Sequence, residues 1–99
     1  MLEELRCADF EPLVGQAFQV SLAGHEPIAL TLDSATELGQ PRSPEHRRPF
    51  SLVFLGPESR HYLPQGTYRL EHDRLDGLDL FMVPLGPRAG RMQYEAIFT

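Results

Sequence analysis

Apolar and polar side chains alternate along most of this chain with a period of two, the spacing that turns one side of an extended strand inward and the other toward water. In AFQVSL, residues 17–22, Phe18, Val20 and Leu22 alternate with Ala17, Gln19 and Ser21. Ile28, Leu30 and Leu32 then alternate with Ala29, Thr31 and Asp33, and the tetrapeptide Ala23-Gly24-His25-Glu26 between the runs supplies a turn. The two runs are expected to form a first hairpin. A third run, Phe50 to Leu55, is apolar on both faces, with Phe50, Leu52 and Phe54 opposite Ser51, Val53 and Leu55, as befits a central strand rather than an edge. A fourth, Thr67 to His72, divides cleanly into Tyr68, Leu70 and His72 against Thr67, Arg69 and Glu71.

The third and fourth runs flank a segment punctuated by Gly56-Pro57, Pro64 and Gly66, and we read them as a hairpin-like pair at the centre of the domain. Asp76-Gly77 is a strong turn signal before a fifth strand, LDLFMV, which stops at Pro84; Gly86-Pro87 and Gly90 mark the next turn. The last strand, RMQYEAIF, aligns Met92, Tyr94, Ala96 and Phe98 on one face. Ahead of the strands, residues 2–14 read as a short helical or turn segment limited by Pro12. The periodicity fails across 36–48, a long surface loop. The expected fold is all-β, or mainly β with a short N-terminal helical turn: about six short antiparallel strands in a small barrel or a two-sheet sandwich.

Composition adds bounds. At 99 residues, 1–99 is expected to be a single domain, and 41% hydrophobic with 23% charged residues supports a compact fold over disorder. A net charge of -5 disfavours a sequence-independent grip on nucleic acid, which needs a basic surface to neutralise phosphates. Cys7 is the only cysteine, so neither an intrachain disulfide nor a Cys-rich zinc site is available. Glu3 and Glu4 stand where a secretory leader would carry positive charge, and no apolar run approaches the ~20 residues that span a bilayer. We expect a cytoplasmic protein with no membrane contact.

The motifs Phe10, Leu13, Gly15 and Phe18, PFSLVF at 49–54, LPQGTYRLEH at 63–72, LFMVPLGP at 80–87 and YEAIF at 94–98 resemble, in that order, the uncharacterised bacterial family catalogued as domain of unknown function 6916. The loop around 36–48 lies outside the resemblance. The resemblance implies a small single-domain bacterial protein, with some members encoded near phage-tail-like or tail-collar genes. It brings no catalytic motif to carry over.

Candidate chemistry is sparse. His25, His46, His61 and His72 lack the spacing of a zinc site, although His61 and His72 would meet if the third and fourth strands paired. Asp73, Asp76 and Asp79 depart from a calcium-loop pattern and read as a solvated acidic turn. No serine sits in a nucleophile elbow, and Cys7 reads as a packing thiol. No catalytic residue, metal or cofactor is expected, and the reading is a non-enzymatic interaction or accessory protein. The positive cluster Arg42, His46, Arg47 and Arg48 is a candidate partner-binding surface, balanced against a merely solvated loop. The outward apolar groups Val53, Leu55, Phe81 and Val83 need a cover: a second sheet, the N-terminal segment or another subunit. A protein partner or a second copy could also use an open sheet edge. The alternative is a small-molecule-binding barrel, with Tyr62, Tyr68, His72 and Tyr94 facing the ligand.

Overall fold

The computed structural model describes residues 4–59 and 61–99. A short helix, α1 (Cys7–Phe10), runs into one turn of 3-10 helix, Glu11–Leu13; six strands follow, β1 (Ala17–Ser21), β2 (Ile28–Glu37), β3 (Phe50–Glu58), β4 (Gly66–His72), β5 (Leu75–Arg88) and β6 (Arg91–Phe98). The Asp9 carboxylate accepts the Arg6 backbone N–H at 2.8 Å, satisfying a donor at the helix start, and Pro12 fixes the tight second turn. Leu2, within the helical segment expected over 2–14, lies outside the described residues.

The strands close into an antiparallel barrel in the order β1-β2-β3-β6-β5-β4. The alternation predicts the inward faces well: Phe18, Val20, Leu30, Leu52, Phe54, Leu70 and Met82 are all at most 1% exposed. A six-stranded barrel is narrow enough for side chains to fill. Its lumen is packed, with Phe18 edge-on to Phe54 at 5.3 Å.

Pairing departs from the sequence reading in one decisive respect. β3 pairs with β2 and β6, and β4 with β1 and β5, so β3 and β4 are not a hairpin. Two strands separate them in either direction around the barrel, placing them on opposite walls. Their connection, residues 59–65, must therefore cross the barrel mouth. Closure also removes the long open edge expected as a docking strip, because each strand has a neighbour on both sides over part of its length.

The turn signals inside the strands are bulges. Gly56-Pro57 falls where the β3–β6 register slips between Leu55 and Glu58, and Asp76-Gly77 where β4–β5 slips between Leu70 and His72. Leu85-Gly86 falls where β5–β6 slips after Pro84. Strands wrapped round a small barrel must bend sharply, and bulges supply that bend. Prolines are tolerated there because β3 beyond Leu55 has no β2 partner and β5 beyond Met82 has no β4 partner, leaving one side without a ladder to feed. The actual turns are Asp73-Arg74 and Ala89-Gly90. β5 accordingly runs from Leu75 to Arg88, well past the expected end at Val83.

The two barrel ends differ. At the lower end, where β1 and β3 begin, Phe10 drops between the termini of the sheet; its ring lies 5.8 Å from Phe50 and 5.7 Å from Phe98, and those two stack at 4.4 Å. Thr36 and Glu37, expected in the loop, extend β2 opposite Ser51 and Phe50. The upper end carries the turn at 22–27 and the crossing connection 59–65.

Candidate functional site

A largely apolar surface cavity opens at the upper mouth. It holds about 350 Å³ and is walled by Leu22, Ile28, Pro57, Tyr62 and Leu63, with His25, Glu26, Ser59 and His61 completing it and Tyr94 beneath. Each element has a local reason to be there. Ile28 is the first residue of β2, half-buried because it faces inward just where the barrel opens. Leu63 is the one aliphatic side chain of the crossing connection and turns down into the core, 9% exposed. Its backbone N–H, which has no strand to pair with, donates to the Tyr94 hydroxyl at 2.8 Å.

Tyr94 is 3% exposed and belongs to the inward row of β6. Gly56 makes room for its ring: a β-carbon at 56 would stand 3.2 Å from Tyr94 Cε2. Burial pushes the Tyr94 phenol above its ordinary value; the Leu63 bond partly offsets this, and Tyr68 and Tyr62 add to it. The phenol therefore stays protonated. Its oxygen accepts from Leu63, the one hydrogen bond the hydroxyl makes among the described residues.

Of the four residues expected to face a ligand, Tyr62 and Tyr94 line this cleft and Tyr68 stands near them, its hydroxyl donating to Pro64 O at 2.6 Å. His72 does not join them. It sits at the far end of β4, its ring 4.7 Å from Phe18; Nε2 meets Gln16 Oε1 at 2.7 Å and Nδ1 accepts the Arg74 N–H at 3.0 Å. With both nitrogens engaged, His72 is a structural tie between β4 and the entry to β1. His61 lies on the connection that precedes β4 and His72 at the far end of that strand, so the two do not meet. Among the described residues no three His, Cys, Asp or Glu side chains gather as metal ligands.

The arginine-rich cluster is split. Arg42, His46 and Arg48 are exposed, but Arg47 turns inward, donating to Leu5 O at 2.7 Å with its guanidinium 5.6 and 5.3 Å from the Phe50 and Phe98 ring centroids. It helps to close the lower end. His46 is held by a local turn, with Nδ1 2.6 Å from Ser43 Oγ. The adjoining Cys7 is 7% exposed, and burial, then Glu11 and Glu37, raise its thiol. That environment makes it a poor nucleophile at neutral pH.

The outward apolar residues have different fates. Leu55 is 8% exposed and Val53 half-buried, whereas Phe81 and Ile97 are 54% and 56% exposed. The N-terminal segment, one of the expected covers, instead sends Phe10 into the lower core. Glu95 lies between Val53 on β3 and Val83 on β5, its carboxylate accepting from Ser51 Oγ at 2.8 Å. Sequence reasoning does not single out Ile97, which the alternation sets opposite the inward row of the last strand beside Gln93 and Glu95. It weighs His25 and His61 only as metal ligands and misses their meeting with Ser59 and Leu63 at one cleft, because all four lie on connections with no periodicity to reveal a shared site.

No curated protein and no solved structure matches the chain. Among the described residues no helix is long and apolar enough to cross a membrane. A family model described as a domain of unknown function (DUF6916) matches residues 5–98, a span that includes the 36–48 loop left outside the motif resemblance. With nearly its whole length matched, the chain belongs to the DUF6916 family.

Proposed function

We propose that this protein is a non-enzymatic interaction module, a cytoplasmic accessory protein that docks on a partner protein through the outer wall formed by β3, β6 and β5. The setting suggested by the family resemblance is a phage-tail-like assembly. One observation carries the docking surface: Phe81 and Ile97, on neighbouring strands, are each more than half exposed and are flanked by half-buried Val53 and Val83. Exposed large apolar groups grouped on one wall cost solubility and are characteristic of contact surfaces. The packed lumen supports a role on the outside of the barrel rather than within it. Glu95 at the centre of the wall gives the surface a polarity: the partner should bring an apolar patch with an arginine or lysine in its middle.

Site-specific photocrosslinking in the native host tests this reading. A benzophenone amino acid at position 81 or 97 should trap one protein, whereas the same probe at Gln19 on the opposite wall should not. Light scattering of the purified protein up to millimolar concentration asks whether that protein is a second copy. Equal yields from positions 81, 97 and 19, with a monomer at every concentration, would overturn the docking surface.

A further inference from the structure

The cleft at the upper mouth is separate from the outer wall and carries an inference of its own. Its volume, about 350 Å³, falls at the lower end of what small-molecule sites occupy. Its walls are mostly apolar, from Leu22, Ile28, Pro57 and Leu63, with the half-exposed ring of Tyr62 on one side. Beneath lies the Tyr94 hydroxyl, its oxygen held by the Leu63 N–H. Because the Leu63 N–H occupies one lone pair of the Tyr94 oxygen, the phenolic hydrogen is left to point elsewhere, and no described residue accepts it. A donor with no acceptor beneath an apolar cleft favours an occupant that brings an oxygen.

Charge narrows the class. Among its described lining residues the cleft sets one carboxylate, Glu26, against two imidazoles, His25 and His61, so an anion finds no strong excess of positive charge to hold it. A cation would find that single carboxylate among two imidazoles at the margin and a donor, not an acceptor, at the floor. A flat uncharged molecule meets neither objection. We propose that the upper mouth binds a small neutral aromatic compound bearing one carbonyl or hydroxyl oxygen, its ring against Leu22, Ile28, Leu63 and Tyr62 and its oxygen accepting the Tyr94 hydroxyl. The binding mode leaves the barrel lumen filled.

Three probes of similar size separate the elements of this site: acetophenone, toluene and benzoate, each titrated into the ¹⁵N-labelled full chain. Acetophenone should shift amides of 22–28 and 59–63 with an affinity of about 1 mM, appropriate to nine heavy atoms. Toluene, lacking the oxygen, should bind about tenfold more weakly, as one hydrogen bond predicts. Benzoate should bind more weakly than acetophenone. Tyr94→Phe should bring acetophenone down to the toluene level while leaving toluene unchanged. If that variant loosens the crossing connection, Leu22→Trp, which fills the cleft from its wall, should abolish all shifts with the melting temperature retained. Toluene binding as well as acetophenone would remove the role of Tyr94; tighter benzoate binding would overturn the neutral class; no localised shifts would remove the site.

Discussion

The two ends of the barrel solve the same problem by different means. At the lower end three phenylalanines drawn from α1, β3 and β6 close over one another and Arg47 lies against two of them. The upper end is crossed by one irregular connection held down by Leu63 and by a single buried hydrogen bond to Tyr94. The lower end is thus a continuation of the core, whereas the upper end is a lid with a cleft beside it. Stability and binding are expected to divide accordingly.

The largest expected effect is at the lower end. Phe10→Ala removes a fully buried ring from between Phe50 and Phe98 and should cost about 3–5 kcal/mol in urea unfolding. Leu63→Ala at the upper end should cost about 2 kcal/mol, the low end of its class, because the connection can settle into the space. Equal losses would break the distinction between core and lid.

Arg47 gives the next test. Its guanidinium combines a charge-assisted bond to Leu5 O with contact to two rings, so Arg47→Ala should cost about 2 kcal/mol. Arg47→Lys should recover less than half of that, since a compact ammonium cannot donate and lie flat on the rings at once. The Arg69–Asp79 pair is half exposed on both sides, and Arg69→Ala should change stability by no more than ~0.5 kcal/mol. A salt titration sharpens the contrast: the Arg47 effect should persist at 1 M NaCl.

These elements also show what a single sequence discloses. The inward row of every strand follows from period-two alternation, because burial on one face is a local property of the pleat. The partnership of β3 with β6 and of β4 with β1 does not, because Gly and Pro punctuate bulges and turns alike. Gly56-Pro57 and Asp76-Gly77 are bulges that curve strands, yet each looks like a hairpin turn in isolation. Reading Gly56-Pro57 as a turn paired β3 with β4 and hid the crossing connection, and with it the cleft beside Leu63, whereas reading Asp76-Gly77 as a turn misplaced the start of β5 but not its partner. Arg47 was equally opaque: nothing within RSPEHRRP distinguishes the arginine that enters the lower core from those that stay in water. Tyr62 and Tyr94 were legible as candidates because phenols on inward rows and loops combine an apolar body with a polar tip.

Alkaline pH separates the ends by chemistry. The Cys7 thiol at the lower end and the Tyr94 phenol at the upper end are both raised, chiefly by burial, from ordinary values of 9.0 and 10.0. For an acid whose folded value is raised, the unfolded chain releases its proton first. The stabilisation is therefore complete below the ordinary value and lost as pH rises through the folded one. Unfolding free energy should begin to fall near pH 9, with Cys7→Ala removing that first part, and fall again above pH 10, where Tyr94→Phe flattens the curve. Near neutral pH the same Tyr94→Phe change should cost about 1–2 kcal/mol by stranding the Leu63 N–H, seen as faster amide exchange at Leu63.

The smallest effect tests whether the upper end also holds strain that the lower end avoids. Ala89 is the one non-glycine residue at positive φ among those described, at 53°, and it shares the two-residue β5–β6 turn with Gly90 at 78°. That turn needs left-handed backbone at both positions, a conformation in which a β-carbon crowds its own carbonyl at a cost of about 1 kcal/mol. Ala89→Gly relieves the crowding but frees the unfolded chain, so the two terms nearly cancel. Ala89→Asn keeps a side chain that tolerates the region and builds the Asn-Gly pair the turn prefers. It should raise stability by about 0.5 kcal/mol, and by more than Ala89→Gly. The Asp73-Arg74 turn at the lower end has no such residue, so Asp73→Asn should give no gain. A gain at position 73 matching that at 89 would show that asparagine acts on the unfolded chain alone, and would withdraw strain from the contrast between the two ends.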